Sequence, residues 1–379
     1  MSKKTLYIEI HLLQNFAPSN LNRDDTGNPK DCEFGGARRA RISSQSLKRA
    51  IRHAPVFGET TQVPTGERTK RFIGKLVAML EKAGKPAEQA QPVVAKFIEN
   101  FASKLDSKDN NLTAVLLYFS PAELQGMVDV LLANWDDVAV ADEKQRAAAI
   151  GKLSKSLVKE YKNRTSAPDI ALFGRMLAEK PELNIDAACQ VAHALSTHRI
   201  TMEMDFYTAV DDLRPEDTAG SAMMGFTGFD SACFYRYARL DWGQLLENLD
   251  GDVGLARRTV EAFLRAVEAI PTGKQNSFAA HNPPSFRLAV ARAGGFAWSL
   301  ANAFEKPVQP RRDSGLVGPS VTAVETYWDE QLLGVYGKDS VKRAVALAPG
   351  LDLTALAETR VNDLESWIGA MMESLPKEA

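Results

Sequence analysis

The chain has 379 residues, of which 45% are hydrophobic and 25% are charged, and its formal net charge is −2. A chain of this length can bury a large core and exceeds the usual size of one domain, so we expect two domains or one domain with a large insertion. The near-neutral charge excludes a uniformly basic nucleic-acid binder, but it does not exclude one whose cations are clustered.

The first predicted element is a β-strand, because apolar and polar side chains alternate from Leu6 to Leu13. A polar segment from Asn15 to Glu33 follows, and it is too long for a simple connection. It carries two cations, Arg23 and Lys30. Its acids are Asp24, Asp25, Asp31 and Glu33, and carboxylates in such a loop either cap turns, pair with a nearby arginine or bind a metal ion.

A strongly basic stretch comes next. From Phe34 to Gly58 there are six Lys or Arg residues and no Asp or Glu. Two glycines and then a serine pair predict a loop, a turn and a helix that starts near Ser44. Leu47 and Ile51 would lie on the apolar face of this helix, while its basic face and its N–H groups suit phosphate oxygens.

Residues 59–164 read as mainly helical, because apolar residues recur at helical spacing and strand signals are scarce. The last helix of this region carries a line of lysines at steps of three and four: Lys152, Lys155, Lys159 and Lys162. A single stripe of this kind is usually just solvated. Two basic helices in one chain, however, favour a shared polyanionic partner.

Asp186 to Ser196 is predicted to form another helix, and its Cys189 and His193, with His198 beyond it, do not have the spacing of a closed zinc site. Thr201 to Gly228 is predicted to be a hairpin-like excursion with exposed Met and aromatic residues. Such residues suit either wedging against bases or packing on a neighbouring subunit. Beyond it we predict a strand at Ser231–Leu240, a helix around Val260–Val267, and a strand at Phe286–Ala291.

The expected location is a reducing cytoplasm. The three cysteines, Cys32, Cys189 and Cys233, are odd in number and far apart, which argues against a disulfide framework. No apolar run approaches the length of a membrane span, and the first residues lack the apolar core of a signal peptide, so no membrane partner is expected.

Several motifs together resemble the backbone subunit of the type I-E CRISPR surveillance complex, Cascade. They begin with LNRDD at Leu21–Asp25, KD at Lys30–Asp31, FGG at Phe34–Gly36 and RISSQSLKRA at Arg41–Ala50. The similarity continues at Asp169–Met176, Thr208–Leu213, Phe234–Tyr237 and Ala301–Lys306. It therefore spans most of the chain, and it thins between Gly58 and Gly151 and at the C-terminus.

The resemblance implies an α+β fold with a ferredoxin-like or RRM-like palm, a large helical finger insertion and a protruding thumb loop. On this mapping, residues 1–58 and 165–379 are palm, residues 59–164 are fingers, and residues 199–229 are the thumb. It further implies a subunit without catalysis or cofactor that polymerises along a guide RNA. Such a subunit grips phosphates without reading sequence and leaves the bases free to pair with target DNA.

The predicted RNA-binding residues come from the basic stretch and from the resemblance. They are Arg23, Lys30, Arg38, Arg39, Arg41, Ser43, Gln45, Lys48, Arg49, Arg52, Lys152, Lys155, Lys159, Lys162, Arg311 and Arg312. The family often has a basic residue where Ala37 stands, so one contact is expected to be missing here. Met176 and Tyr207 match apolar residues that flank a displaced base in the family.

The implied partners are the guide RNA, the target DNA strand, further copies of this chain and the other Cascade subunits. Those subunits are the large subunit, the small subunit, the subunit that binds the 5′ handle and the endoribonuclease that processes repeats. A helicase-nuclease recruited by the complex would degrade the DNA.

Two other functions remain open. The first is a metal-dependent RNA-cleaving backbone subunit of a type III-like effector, which would use the loop aspartates Asp24, Asp25, Asp211 and Asp212. The second is a general RNA-binding or metabolic protein with a basic groove. No nucleophile–base–orienter motif surrounds the five histidines, so a hydrolase has no support in the sequence.

Overall fold

The computed structural model describes residues 5–209, 223–271 and 280–377. The strands are β1 Leu6–Ser19, β2 Asp31–Phe34, β3 Ala37–Ile42, β4 Glu67–Thr69, β5 Leu117–Phe119, β6 Cys189–Val191, β7 Ala194–Ser196, β8 Glu203–Ala209, β9 Met223–Asp241, β10 Phe286–Ala293, β11 Arg343–Leu347 and β12 Arg360–Val361. The helices are α1 Ser44–Arg52, α2 Pro55–Thr61, α3 Phe72–Lys82, α4 Ala87–Phe101, α5 Pro121–Ala133, α6 Trp135–Val138, α7 Glu143–Glu160, α8 Pro168–Phe173, α9 Trp242–Asn248, α10 Val253–Ala266, α11 Val317–Thr326, α12 Gly334–Tyr336 and α13 Leu364–Met372. A π-helical turn, Tyr327–Leu333, joins α11 to α12, and short 3-10 turns lie at Pro181–Leu183, Ala301–Phe304, Lys338–Ser340 and Ala357–Thr359. This mixture confirms the predicted α+β class.

The chain divides into two compact units. The first comprises Met1–Phe57, Gln190–Arg239 and Phe263–Pro376, and the second comprises Gly58–Cys189, Leu240–Ala262 and Lys377–Ala379. The predicted assignment of residues 1–58 and 165–379 to the palm and of residues 59–164 to the fingers stays a prediction.

The first unit is built on a sheet with the strand order β12-β11-β10-β1-β9-β7-β3-β2. β1 is antiparallel to β10 and is buried on both faces, so Glu9 and His11 lie inside along with Ile8 and Ile10. The predicted alternation for β1 located the strand correctly. It did not show that the polar positions are buried as well.

A two-residue hairpin turn joins β2 to β3, with Phe34 opposite Ala37. Gly35 and Gly36 both have positive φ, +59° and +67°, which matches the twist of paired strands and favours glycine. A Cβ atom on Gly35 would lie 1.8 Å from the carbonyl oxygen of Glu305. The predicted arginine loop before the helix is therefore wrong, because residues 37–42 form strand β3.

Helix α1 begins at Ser44, as predicted. Ser43 is its N-cap and accepts from the Ser46 N–H at 3.4 Å. Leu47 is buried and packs in a cluster with Phe16 and Ile42, which holds the helix on the first unit. This placement leaves the opposite face of α1 to solvent.

The second unit is mainly helical, with the small antiparallel pair β4–β5. Its core joins side chains of α3, α4, α5 and α7, among them Leu76, Phe97, Met127 and Leu157. The predicted helical character of this region is confirmed. A capping box at Ser120 and Glu123 starts α5.

The predicted helix at Asp186–Ser196 is wrong, because this segment contains β6 and β7. β7 is antiparallel to both β3 and β9, and Ala194 and Ser196 on β7 are buried. The predicted hairpin at Thr201–Gly228 is confirmed in its described part, where β8 pairs with the start of β9. The strands predicted at Ser231–Leu240 and Phe286–Ala291 lie within β9 and β10. Within the described ranges, no helix has the length and apolar character needed to cross a membrane.

Candidate nucleic-acid interface

The polar loop between β1 and β2 is fixed by its own hydrogen bonds. The Asp24 carboxylate accepts from the N–H and hydroxyl of Thr26 and from the N–H of Asn28, at 2.8–2.9 Å, and these bonds lower the pKa of Asp24. Asn20 donates its amide to the carbonyls of Gly27 and Gly228, which attaches the loop to β9. Asp24 therefore acts as a turn cap.

The same loop is also attached to the start of α1. The side-chain oxygen of Asn22 accepts from the Ser43 N–H at 2.9 Å, and the Asn22 carbonyl accepts from the Lys30 N–H at 2.8 Å. The Lys30 carbonyl in turn accepts from the Arg41 N–H at 2.9 Å. Lys30 and Arg41 are thereby brought together beside the N-terminus of α1.

His193 completes this corner of the first unit. Its side chain is exposed, and its Nδ1 accepts from the Ser44 N–H at 2.9 Å. Partial burial and the charges of Arg41 and Lys30 lower the pKa of His193. Two of the first three N–H groups of α1 are thus bonded to protein acceptors, so the N-terminus of the helix is less open to phosphate than the sequence suggested.

The predicted contacts on α1 differ in accessibility. Gln45 and Arg49 are exposed and Lys48 is half-buried, so all three present polar groups to solvent. Arg52 is 9% exposed, and Ser43 is buried as the N-cap. The accessible cationic surface of the helix therefore runs through Lys48 and Arg49.

Arg38 and Arg39 point to opposite sides of strand β3. Arg38 is exposed and forms an ion pair with Asp31. Arg41, three residues further along the strand, lies on the opposite side from Arg38; it is half-buried and donates from Nε to the Asp31 carbonyl at 3.4 Å. Arg23, in the preceding loop, is half-buried, and its backbone pairs with that of Pro29.

Arg39 is fully buried. Its guanidinium donates to the carbonyls of Phe34 (3.2 Å), Ser196 (3.0 Å), Phe304 (2.7 Å) and Glu305 (3.2 Å). A buried cation needs such acceptors, because desolvation is otherwise very costly. The predicted contact between Arg39 and RNA is therefore replaced by a structural role, in which Arg39 joins β3, β7 and the 304–305 segment.

The lysine stripe of the second unit lies largely on α7. Lys152, Lys155 and Lys159 are exposed, and Ser154 and Leu157 between them are buried. Lys162 is also exposed, but it lies in the turn after the helix. Lys152, Lys155 and Lys159 thus form a solvent-facing basic line along α7, and Lys162 follows it in the next turn.

Met176 is held outward by a rigid support. It is 82% exposed, whereas the flanking Arg175 and Leu177 are buried. The backbone of Arg175 pairs with that of Ile185 at 2.9 and 3.0 Å, and the Leu177 N–H donates to Asn184 at 2.6 Å. An apolar side chain presented in this way suits stacking against a base.

Tyr207 lies on the β8–β9 hairpin and is 45% exposed. It pairs with Gly225, and a Cβ atom there would lie 2.4 Å from the Tyr207 ring, so the ring packs over the glycine. On the other face, Phe206 and Phe226 are also exposed, with ring centroids 5.2 Å apart. The hairpin therefore presents aromatic rings on both of its faces.

Arg311 and Arg312 are exposed on the first unit, where the backbones of Arg311 and Gly315 exchange hydrogen bonds of 2.8 and 2.9 Å. No group of three or more His, Cys, Asp or Glu side chains suited to a metal ion occurs in the described ranges. Asp211 and Asp212 lie outside the described residues.

The family of the chain follows from comparison with known proteins. The family model of the CT1975-like proteins matches residues 8–373. The chain belongs to this family. Among solved structures, this CT1975-like protein resembles a chain titled "CRISPR RNA-guided surveillance complex, pre-nicking", at 31% sequence identity and a TM-score of 0.81, over 97% of this chain and 99% of that chain. A chain of a second "CRISPR RNA-guided surveillance complex" matches at 26% identity and a TM-score of 0.72, over 97% of this chain and 100% of that chain. Comparison with curated proteins found no match.

The loop with Lys30, strand β3 with Arg41 and helix α1 with Lys48 and Arg49 meet at one place, called here the basic corner. Sequence reasoning missed two residues of this CT1975-like protein that shape it. Asn22 stands in the sequence only as part of a motif, and His193 falls within a predicted helix that the structure replaces with β6 and β7. His193 is 149 residues from its partner Ser44, so no local pattern connects them.

Proposed function

We propose that this chain is the RNA-binding backbone subunit of a type I-E CRISPR surveillance complex. Several copies would line up along one guide RNA, hold its phosphates and leave its bases free to pair with target DNA. The observation that carries the proposal is the basic corner of the first unit, in a chain that is 31% identical to a subunit of a CRISPR RNA-guided surveillance complex.

The proposed grip uses charge without base readout. Lys30, Arg41, Lys48 and Arg49 lie on the loop, strand and helix that meet at this corner. Amine and guanidinium groups bind phosphate oxygens in any sequence, and a subunit that must hold every guide cannot depend on base edges.

The lysine line on α7 is proposed as a second phosphate contact. Its Lys152, Lys155 and Lys159 are exposed at helical spacing, which suits a polyanion that runs along the helix. Arg311 and Arg312 are exposed cations of the first unit, and they are proposed as peripheral contacts on the same grounds.

Met176 and Tyr207 are proposed to flank a displaced base. Both are exposed apolar groups, and both are fixed by their backbones: Met176 by the paired segment at Ile185, and Tyr207 by its place opposite Gly225. Base stacking tolerates any sequence because every base has a π-face. The pairing of guide and target would therefore be interrupted at a fixed position, whatever the sequence.

The subunit is proposed to have no catalytic activity and to work in the cytoplasm with the other Cascade subunits and a recruited helicase-nuclease. The Asp24 carboxylate accepts three hydrogen bonds within its own loop, which leaves it poorly placed to bind a metal ion. The metal-dependent alternative keeps Asp25, Asp211 and Asp212 as candidates. An RNA-cleavage assay with Mg²⁺ on the assembled complex separates the two, since cleavage that is lost on Asp211→Ala would favour the enzyme.

The grip is tested by the salt dependence of RNA binding. Each phosphate neutralised on a single strand contributes roughly 0.7 to the slope of log affinity against log salt, so Lys48→Ala should lower the slope by about that amount. Lys338→Ala is the control, because it also removes one lysine charge, from an exposed position far from the proposed corner in sequence. An unchanged slope for Lys48→Ala together with a lowered slope for Lys338→Ala would show that the RNA phosphates do not bind at the proposed corner.

Assembly along the guide has its own test. A repeating head-to-tail contact adds copies without closing, so sedimentation with RNAs of increasing length should show stepwise addition of subunits. A fixed stoichiometry at every length would contradict the filament.

A further inference from the structure

The histidine at the N-terminus of α1 lies beside Lys30 and Arg41 of the proposed RNA-binding surface, but it is none of the predicted contacts. His193 lies on the link between β6 and β7, and its side chain is exposed. Its ring is not loose, because Nδ1 is held by the backbone N–H of Ser44 at 2.9 Å.

This hydrogen bond fixes the proton on the ring. A backbone N–H can only donate, so Nδ1 must be the unprotonated nitrogen, and a neutral imidazole then carries its proton on Nε2. The ring is neutral near pH 7, since burial and the charges of Arg41 and Lys30 lower its pKa. His193 thus holds a neutral N–H donor at the far side of the ring from the helix.

The surroundings of this donor favour a phosphate acceptor. Arg41 and Lys30 are close enough for their charges to act on the ring, and their backbones are joined at 2.9 Å. A polyanion drawn to these two cations would pass beside the exposed ring. The N–H on Nε2 is preorganised, because the tether to Ser44 removes the rotational freedom that a free side chain would lose on binding.

We propose that His193 binds the RNA backbone through Nε2–H as a neutral phosphate donor, held in position by Ser44. The proposal rests on the proposed function, since it names a further contact of the same surface. A neutral donor adds affinity without displacing a counterion, and this separates its effect from that of the lysines and arginines nearby.

The test compares two amide substitutions. His193→Asn keeps an acceptor near the position of Nδ1, so it can still bond to Ser44, but it has no donor at the position of Nε2. His193→Gln has the opposite properties, with an N–H near the position of Nε2 and no acceptor near that of Nδ1. Both variants are neutral, so the slope of log affinity against log salt should stay that of the wild type.

RNA binding by His193→Asn should be weakened about two- to tenfold, the loss expected for one neutral hydrogen bond. His193→Gln should bind more tightly than His193→Asn, although it unfolds at the same or a lower temperature because the Ser44 N–H has lost its acceptor. If His193 only caps the helix, His193→Asn should bind RNA more tightly than His193→Gln. Equal or reversed affinities of the two variants, or a changed salt slope, would overturn the proposal.

Different results would refute the proposed function and the role of His193. If the wild-type chain binds no RNA, the proposed function fails. If the wild type binds RNA with a normal salt dependence and His193→Asn binds at least as well as His193→Gln, only the role of His193 is refuted.

Discussion

The buried pair of Arg175 and Glu123 should be the most sensitive point of the second unit. Nη1 of Arg175 lies 2.8 Å from Oε1 of Glu123, and both side chains are almost completely buried. Arg175 also donates from Nε to the Leu183 carbonyl at 3.0 Å, and its guanidinium lies over the Phe119 ring at 4.7 Å. The other carboxylate oxygen of Glu123 accepts from the Ser120 N–H at 2.7 Å as part of the capping box.

Arg175→Met removes the cation but keeps most of the side-chain volume. Glu123 is then left as a buried carboxylate with no cationic partner, and breaking such a pair costs about 3–5 kcal/mol. The Leu183 carbonyl also loses its donor. The matched control is Met176→Ala, at the adjacent position: its side chain is 82% exposed, so the free energy of unfolding should change by less than about 0.5 kcal/mol.

Urea unfolding followed by circular dichroism measures both variants against the wild type. The account expects a large loss for Arg175→Met and almost none for Met176→Ala, although the residues are neighbours in sequence. A loss below about 1 kcal/mol for Arg175→Met would show that Glu123 does not need the guanidinium, and the burial argument would be refuted.

Two further predictions concern the first unit. Gly35→Ala should destabilise the fold more than Gly36→Ala in urea unfolding. A side chain at positive φ costs about 1–2 kcal/mol at either site, but only at Gly35 would the new Cβ overlap the Glu305 carbonyl oxygen. Equal losses of unfolding free energy for the two variants would contradict this overlap. Burial and the nearby Asp31 carboxylate raise the pKa of Asp230 to about 7, above its ordinary 3.8. The unfolded state therefore binds fewer protons than the folded state between these values, and the free energy of unfolding falls as the pH rises through this window. Asp230→Asn should remove part of that fall in unfolding experiments from pH 4 to pH 8, and an identical pH profile would show that Asp230 is not responsible.

Local patterns located the elements whose signals are contained in a few residues. Helix α1 begins at Ser44 because Ser43, the residue directly before it, supplies the N-cap. The alternation in β1 and the apolar spacing of the second unit likewise needed no distant partner. These signals are compatible with an α+β class, and the family resemblance is what implies it.

The errors arose where a distant partner decides the outcome. Arg39 was read as a free cation, but β3 turns it inward, and its acceptors at Ser196 and Phe304 lie 157 and 265 residues away. The segment around His193 was read as a helix from its apolar spacing, yet pairing with β3 and β9 makes its second half a strand. Tertiary contacts therefore decide whether a cation of the basic stretch faces solvent or carbonyl oxygens, and the spacing of residues in the sequence does not reveal those contacts.

The central claim is that the chain holds RNA by its phosphates and ignores its bases. The most direct measurement is equilibrium binding of the purified chain to two RNAs of equal length and unrelated sequence, each over a series of salt concentrations. The account predicts equal affinities and equal, steep salt slopes for both RNAs. Tight binding of one RNA and weak binding of the other, or an affinity that does not respond to salt, would contradict it.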